Sequence, residues 1–476
     1  MSDLDLLDSA IALHTAGRTA EAAARYREIL AAEPDNARAA HPLGVLLLGE
    51  GRIDEALEFL SRAVRSTPRW AEAQNNYGVA LREAGRLHEA VAAFRAAAAA
   101  RPTMFDAHNN LAEAHLELDA IQEAFDAASE AHRIDPSRAG PLFTQGMVHL
   151  HLRQHADAIE KLREGLAREP QNPAAEELLR IACSRVVEPW HFAMMNERVR
   201  NEAYDAAIRR AVKPGALVFD LGAGSGLLSM MAARAGAERV VACEMNPATA
   251  AKAREIVAHN GYADRITIHA LPSERMRVGA ELPERADVLV SEVLDSNVLG
   301  EGVLPAFEDT HARLLKPGAT VIPRAATAMI ALVGGPELAR TMRVGDAVGF
   351  DLSPFNEFTP ERVVLDGTGI EFERYSDAVA AVRFDFRETR YPSRERAIEI
   401  PVTVSGECLG VIQWLRIEVD DEASYENRPE RWEDNPGNWL HSFFPFHRSV
   451  RVEAGRTLRI LAGHGSQSLY FRVSLR

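Results

Sequence analysis

The chain has 476 residues, and its 54 Lys and Arg against 69 Asp and Glu leave a net charge of −15 with neutral histidines. That balance excludes a generally basic nucleic-acid coat. Hydrophobic residues at 47% and charged residues at 26% are ordinary globular values, so the length predicts about three units of roughly 150 residues each. Cys183, Cys243 and Cys408 are the only cysteines and form no CxxC pair, which signals neither a disulfide framework nor a zinc cluster and predicts a reducing cytoplasm. The acidic opening MSDLDLLDSAIALHTAGRT has no basic region leading an apolar core, and no run of about 18 apolar residues follows anywhere. Neither an export signal nor a membrane span is predicted.

A period of 34 governs the first third. Pro34, Pro68, Pro102, Pro136 and Pro170 recur at that spacing, and Gly17, Gly51 and Gly85 keep it before Asp119 and Arg153 take their place. Ala22, Ala56, Ala90, Ala124 and Ala158 hold one phase, followed four residues later by Tyr26, Leu60, Phe94, Ala128 and Leu162. Each unit reads as a helix, a tight turn at the glycine and a second helix that proline stops, because its ring clashes and it lacks an N–H. The alanines let paired helices approach closely. This pattern resembles five tetratricopeptide repeats over 1–172, with 173–189 as a capping helix and linker. Such arrays are interaction surfaces, so a binding role is expected there and no chemistry.

From Gly215 the text changes. ALVFDLGAGSGLLSMMAARAGAERVVACEMNP reads as strand, glycine turn, helix and strand, with apolar runs suited to a buried parallel sheet. Gly222, Gly224 and Gly226 allow close backbone approach just before a helix whose free N–H groups favour a polar or anionic ligand group. A dinucleotide fold wants GxGxxG, whereas here the third glycine comes one position early and Asp220 precedes the loop. DxGxGxG is the pattern that resembles S-adenosylmethionine-dependent methyltransferases. Glu244 closes the second strand, where a carboxylate can accept from both ribose hydroxyls.

Farther on, DVLVSE ends a fourth strand at Glu292, and Glu301 follows beyond a glycine. Open α/β sheets bind ligands at the carboxyl ends of their strands, so two carboxylates are expected to face one pocket. Paired carboxylates can serve as general acid and base, bind a metal, or clamp a guanidinium, whose planar fork of donors matches two acceptors. The surrounding sequence holds no His or Cys cluster that argues for a metal.

At these residues the stretch from about Trp190 to Arg476 resembles the protein arginine methyltransferases, in which a cofactor domain precedes a β-barrel and two glutamates share a loop. SEVLDSNVLGEG is similar to that double-glutamate loop, HFAMMNERVRNEAY to the helix that folds over the cofactor, and GFDLSPF to the start of the barrel. The resemblance implies S-adenosyl-L-methionine as cofactor and Glu292 and Glu301 as the catalytic pair. It implies that His191 and Met194 line the cofactor site, that Arg200 meets the methionyl carboxylate and that Glu274 accepts the adenine amino group. Asp295 adds negative charge at the pocket wall and is shared with the repeat-bearing branch of the family and its monomethylating relatives. NPGNWLHSFFPF keeps the family's tryptophan as Trp439 but carries Asn438 where a histidine is expected, and Asn can neither take a positive charge nor shuttle a proton. Asp295, Asn438 and Trp439 are therefore the expected substrate contacts.

Residues 324–476 alternate apolar and polar positions in segments such as AAVRFDFRE and GVIQWLRIEV, which predicts antiparallel strands. The expected architecture is thus multidomain: an all-α repeat solenoid, an α/β Rossmann-like methyltransferase domain over 190–323, and an antiparallel β-barrel substrate domain. The expected activity is methyl transfer to the arginine guanidinium of a protein or peptide, in keeping with an Arg-rich one, recruited by the repeats. Direct nucleic-acid or membrane binding is not expected, and the resemblance implies a homodimer built through a barrel-domain arm. A different acceptor, or a repeat scaffold whose methyltransferase domain is weak or inactive, are the alternative readings.

Overall fold

The computed structural model describes residues 3–187, 189–296, 298–365, 370–429, 440–465 and 468–474. Two compact units emerge, Met1–Val186 and Val187–Arg476. Among the described residues no helix is long and apolar enough to cross a membrane.

The first unit is a series of antiparallel helix pairs, for example Ala71–Glu83 with Leu87–Ala100, closed by the helix Pro173–Ser184. Its period has a steric origin. Leu60, Phe94 and Leu162 are fully buried, and a Cβ placed on Gly44, Gly78 or Gly146, sixteen residues earlier in each case, would lie within 2.7 Å of them. The large side chain of one helix therefore rests on bare backbone of its partner. Where Ala112 replaces that glycine, the facing residue shrinks to Ala128 and both stay fully buried in one cluster. Small and large residues trade volume across the contact, as close packing requires.

The turns tell a second story. Gly17, Gly51 and Gly85 sit at φ of 72–73°, and Asp119 and Arg153 hold the same left-handed conformation at φ 58°. A side chain there crowds the following carbonyl.

In the second unit, five parallel strands form a sheet of order β3-β2-β1-β4-β5: β1 Leu217–Leu221, β2 Arg239–Cys243, β3 Ile266–His269, β4 Ala286–Ser291 and β5 Leu315–Ile322. β1 is buried along its whole length, as a central parallel strand covered on both faces must be. The chain winds outward from β1 to β3 and then returns to lay β4 on the other side of β1, which makes β1/β4 the switch point of the sheet. The helices Trp190–Asn196 and Arg198–Ala211 precede β1.

After β5 the chain enters three antiparallel sheets: one of seven strands centred on β6 (Ala325–Gly334) and Gly406–Glu418, one made of Glu395–Pro401, Thr457–His464 and Leu469–Val473, and a two-stranded one of Asp346–Ala347 and Phe350–Asp351. One apolar core runs from Phe219 and Val290 in the parallel sheet through Ile322 and Ala326 to Phe386 and Ile417. Two contacts fix the modules to each other: the Phe307 ring lies on Phe386 with centroids 4.6 Å apart, and Arg210 meets Asp420 at 2.6 Å. Phe307 belongs to Val303–Arg313, the helix that follows the acidic loop, so this anchor also holds the far end of that loop.

Arg153→Gly is expected to stabilise the repeat unit by about 0.5–1 kcal/mol, the left-handed penalty less the extra chain entropy of glycine. Urea titration of the full chain followed by far-UV circular dichroism measures it; an unchanged or lower midpoint would show that the turn carries no such penalty.

Candidate active site

The site is built where three strand ends converge. β1 runs into Gly222, Gly224 and Gly226, all left-handed at φ 80°, 53° and 80°. The loop is tied to its neighbour strand, since the N–H groups of Gly222 and Ala223 both donate to the Cys243 carbonyl, at 3.1 and 2.9 Å. Glu244, just past β2, accepts the Gly224 N–H on Oε2 at 3.0 Å and the Asn246 N–H on Oε1 at 2.8 Å. The three glycines serve different needs. A Cβ on Gly222 would strike the Val293 side chain at 2.4 Å and one on Gly226 would press on Val257 at 3.1 Å, whereas a Cβ on Gly224 would meet nothing within 4 Å. Gly224 is therefore the position that opens onto free space above the sheet.

Asp220 is wholly buried and takes the Ser229 hydroxyl at 2.5 Å, so it braces the first turn of the helix Leu227–Arg234 from beneath the loop. Burial pushes its carboxyl up to about 7, against the Ser229 hydrogen bonds and with the neighbouring Glu244 charge adding to the rise. Glu274 is exposed on a short turn after β3. Burial raises the Cys243 thiol to about 12, and the charges of Asp220, Glu244 and Glu274 reinforce that rise.

On the other side of the switch point, Glu292 leaves β4 and forms an ion pair with Arg200 at 2.7 Å, each side chain only 4% exposed. Arg200 comes from the helix Arg198–Ala211, and its guanidinium lies 5.3 Å from the centre of the Tyr204 ring. The Tyr204 hydroxyl donates to the Ser291 carbonyl at 3.2 Å, and the Ser291 hydroxyl donates to the Leu221 carbonyl at 2.9 Å. A continuous chain of bonds thus links the helix, β4 and β1. Burial works against the charge on Arg200, but Glu292 overrides it and holds the guanidinium more firmly protonated than usual.

In this structure Arg200, expected to meet the methionyl carboxylate, engages Glu292. His191 and Met194 are half-buried on the helix Trp190–Asn196, beside an exposed Phe192. The expected single helix breaks at Glu197, whose extended backbone separates Trp190–Asn196 from Arg198–Ala211. Glu197 itself was not singled out by its sequence. It is buried, neither carboxylate oxygen has a hydrogen-bond partner among the described residues, and burial raises its pKa against the pull of Arg200. Tyr425, buried beside Tyr204 at 6.5 Å between ring centres, is likewise absent from any motif and completes the cluster.

Asp295 accepts the Gly300 N–H on Oδ1 at 3.0 Å, within its own loop. The backbone of Glu301 lies in the short turn Gly300–Gly302, while its side chain lies outside the described residues, as do Asn438 and Trp439. His441 is buried in the antiparallel module with Nε2 3.0 Å from the Asn427 carbonyl.

Comparison with known proteins fits this geometry. A family profile described as Ribosomal protein L11 methyltransferase (PrmA) matches residues 204–323, and tetratricopeptide repeat profiles match 13–76 and 75–139. The chain is 37% identical over 295 residues to an arginine N(omega)-methyltransferase of Streptomyces achromogenes subsp. streptozoticus, a match covering 61% of this chain and 80% of that protein. This chain belongs to the arginine N-methyltransferase family. It is also 34% identical over 265 residues to protein arginine N-methyltransferase 7 of Oryza sativa subsp. indica, and 27% over 321 residues to its counterpart in Drosophila melanogaster. Those matches cover 50% and 58% of this chain but only 36% and 46% of the relatives, so the chain spans less than half of their length. A solved Trypanosoma brucei structure, the PRMT1 enzyme-prozyme heterotetrameric complex with AdoHcy, aligns at TM-score 0.50 and 21% identity over 59% of this chain and 88% of that one, which places the fold. The cofactor of an arginine N-methyltransferase is S-adenosylmethionine. The open side of Gly224 and the strand-end carboxylate of Glu244 fit such a ligand.

The folded-state value of Asp220 lies above the unfolded value of about 3.9. The stabilisation it gives is complete below pH 4 and is lost as pH rises through about 7. Calorimetric scans of the ligand-free protein across that window are expected to show a steeper fall in Tm for wild type than for Asp220→Asn; superimposable profiles would count against a buried, protonatable Asp220.

Proposed function

We propose that this protein transfers a methyl group from S-adenosylmethionine to a guanidinium nitrogen of arginine, in a protein or peptide recruited by the repeat array. The observation that carries the reading is the buried Arg200–Glu292 pair at the end of β4: the carboxylate is already committed to a guanidinium, held in a dry site at the switch point of the sheet. In this reading Gly222, Gly224 and Gly226 cradle the cofactor over the sheet, and Glu244 takes its ribose hydroxyls. Glu274 takes the adenine amino group, and His191 and Met194 close over the ligand. Arg200 faces its carboxylate, and Asp220 supports the loop from below.

S-adenosylmethionine, when bound, supplies a methyl group on an electrophilic sulfonium. The protein's part is to hold the acceptor nitrogen in line with the S–methyl bond. Guanidinium and sulfonium repel each other by roughly 4 kcal/mol at 4 Å in an effective dielectric near 20. Glu292 and Glu301 cancel that term by placing negative charge on the acceptor side, and they localise positive charge on the nitrogens they touch, leaving the target nitrogen more nucleophilic. One of them receives the proton that the methylated nitrogen releases. Asn438 can donate and accept hydrogen bonds but cannot take that proton, so the carboxylates carry the task in this chain.

We also infer a homodimer. Val348, Phe350, Phe355 and Phe358 are 98%, 71%, 65% and 73% exposed along one projecting segment after β6, an apolar cluster that favours a partner surface. The three free cysteines agree with a reducing, cytoplasmic setting.

One observation favours a second acceptor: the Streptomyces relative is named for arginine, with no protein in its name. Incubation with isotope-labelled cofactor, an Arg-rich peptide pool and free arginine, read by mass spectrometry, separates the cases. Label on peptide arginine is expected; label on free arginine alone supports the second acceptor, and label on neither removes arginine transfer altogether. In the same assay Glu301→Gln is expected to lose at least about 100-fold in transfer with cofactor affinity retained, since it removes charge from the acceptor side only. Unchanged turnover would refute the clamp.

A further inference from the structure

Glu292 stands between two residues that reach the other way. Successive side chains of an extended chain point to opposite sides, and here Glu292 turns to Arg200 while Ser291 and Val293 turn to the end of β1. Ser291 is fully buried, and its hydroxyl donates to the Leu221 carbonyl at 2.9 Å. Leu221 and Ser291 are also the last pair in the parallel register of β1 with β4, so this bond closes the ladder at the point where the two strands part. Val293 rests on the next residue of the glycine loop, since a Cβ on Gly222 would overlap its side chain. The loop is therefore held on both flanks: Gly222 and Ala223 donate to the Cys243 carbonyl on the β2 side, and Ser291 and Val293 hold it on the β4 side. The Tyr204 hydroxyl, from the helix that carries Arg200, donates to the Ser291 carbonyl at 3.2 Å and steadies the peptide unit that leads into Glu292.

We propose that Ser291 and Val293 are positioning residues that clip Glu292 to the glycine loop at a fixed spacing, and that Gly222 is bare in order to seat Val293. The glycines then divide the work. Gly224 opens onto free space, where a Cβ would meet nothing within 4 Å, whereas Gly222 is filled from the β4 side by a neighbour of the carboxylate. In the arginine-transfer reading the loop holds the methyl donor and Glu292 holds the acceptor, so the clip sets the distance between them. Transfer in line with the S–methyl bond tolerates little error, and a misplacement of about 1 Å can cost on the order of 100-fold in rate. Neither clip residue needs to touch a ligand. The proposal rests on the arginine-transfer reading, and the two can fail separately.

The test uses Ser291→Ala, Val293→Ala, Gly222→Ala and the pair Gly222→Ala/Val293→Ala in the full chain. Ser291→Ala and Val293→Ala are each expected to lower kcat for transfer about tenfold, with acceptor KM and calorimetric cofactor affinity within about twofold of wild type, because alignment is lost and binding is not. Val218→Ala is the control for stability. It truncates a fully buried side chain near the start of β1, so Tm is expected to fall while kcat holds. Gly222→Ala suffers twice, from the overlap with Val293 and from a backbone φ of 80°. The backbone strain remains in the paired variant; the overlap does not. Val293→Ala, which lowers Tm in the wild-type chain, is therefore expected to raise the Tm of Gly222→Ala and to restore part of its transfer. Wild-type protein that labels no arginine would remove the arginine-transfer reading, and the Tm cycle would still decide the contact. Additive Tm changes across that cycle, wild-type kcat in Ser291→Ala and Val293→Ala, losses that lie in cofactor affinity, or an equal loss of kcat in Val218→Ala would each overturn the proposal.

Discussion

The ion pair between Arg200 and Glu292 is the constraint around which the second unit is arranged. Both groups are almost completely removed from water, and a buried charge without its partner costs several kcal/mol, so neither can be placed without the other. That requirement ties the helix Arg198–Ala211 to the end of β4, 92 residues later in sequence. Tyr204, one turn along the helix, ties it again through the Ser291 carbonyl. A buried Tyr425 from the antiparallel module closes the cluster, so the two modules share one polar centre inside one apolar core.

The pair also sets the chemistry available. A carboxylate at the end of a central parallel strand is an ordinary ligand-binding position in an open α/β sheet. Glu292 is less ordinary because the surrounding structure already matches it to a guanidinium, with geometry short enough for a charge-assisted bond. In contrast, the face made by Gly224 and Glu244 presents bare backbone beside a strand-end carboxylate, which suits close approach of a polar nucleoside. In the proposed reading one crevice has two sides with different preferences, and methyl transfer occupies both.

Much of this was legible in the sequence, for reasons that differ by region. The repeats announce themselves because one steric contact recurs along the array, and its small and large residues, such as Gly78 and Phe94, stand a fixed distance apart. The glycine loop is legible because left-handed backbone narrows the choice of residue at 222, 224 and 226. The Arg200–Glu292 contact was not, since its partners are joined only by tertiary packing and each alone has an acceptable role elsewhere. Glu197 was hidden inside a run that reads as one helix, and only the break at that residue turns its carboxylate inward. Asp295 had a signal that could have been read: an Asp five residues before a glycine, in a tight loop, is suited to accept that glycine's N–H.

The most direct test is a crystal structure of the protein with S-adenosylhomocysteine and an arginine acceptor. The account requires the acceptor guanidinium within hydrogen-bond distance of Glu292 and the cofactor carboxylate facing Arg200. An acceptor seated elsewhere, with the Arg200–Glu292 pair closed and touching neither ligand, would contradict it.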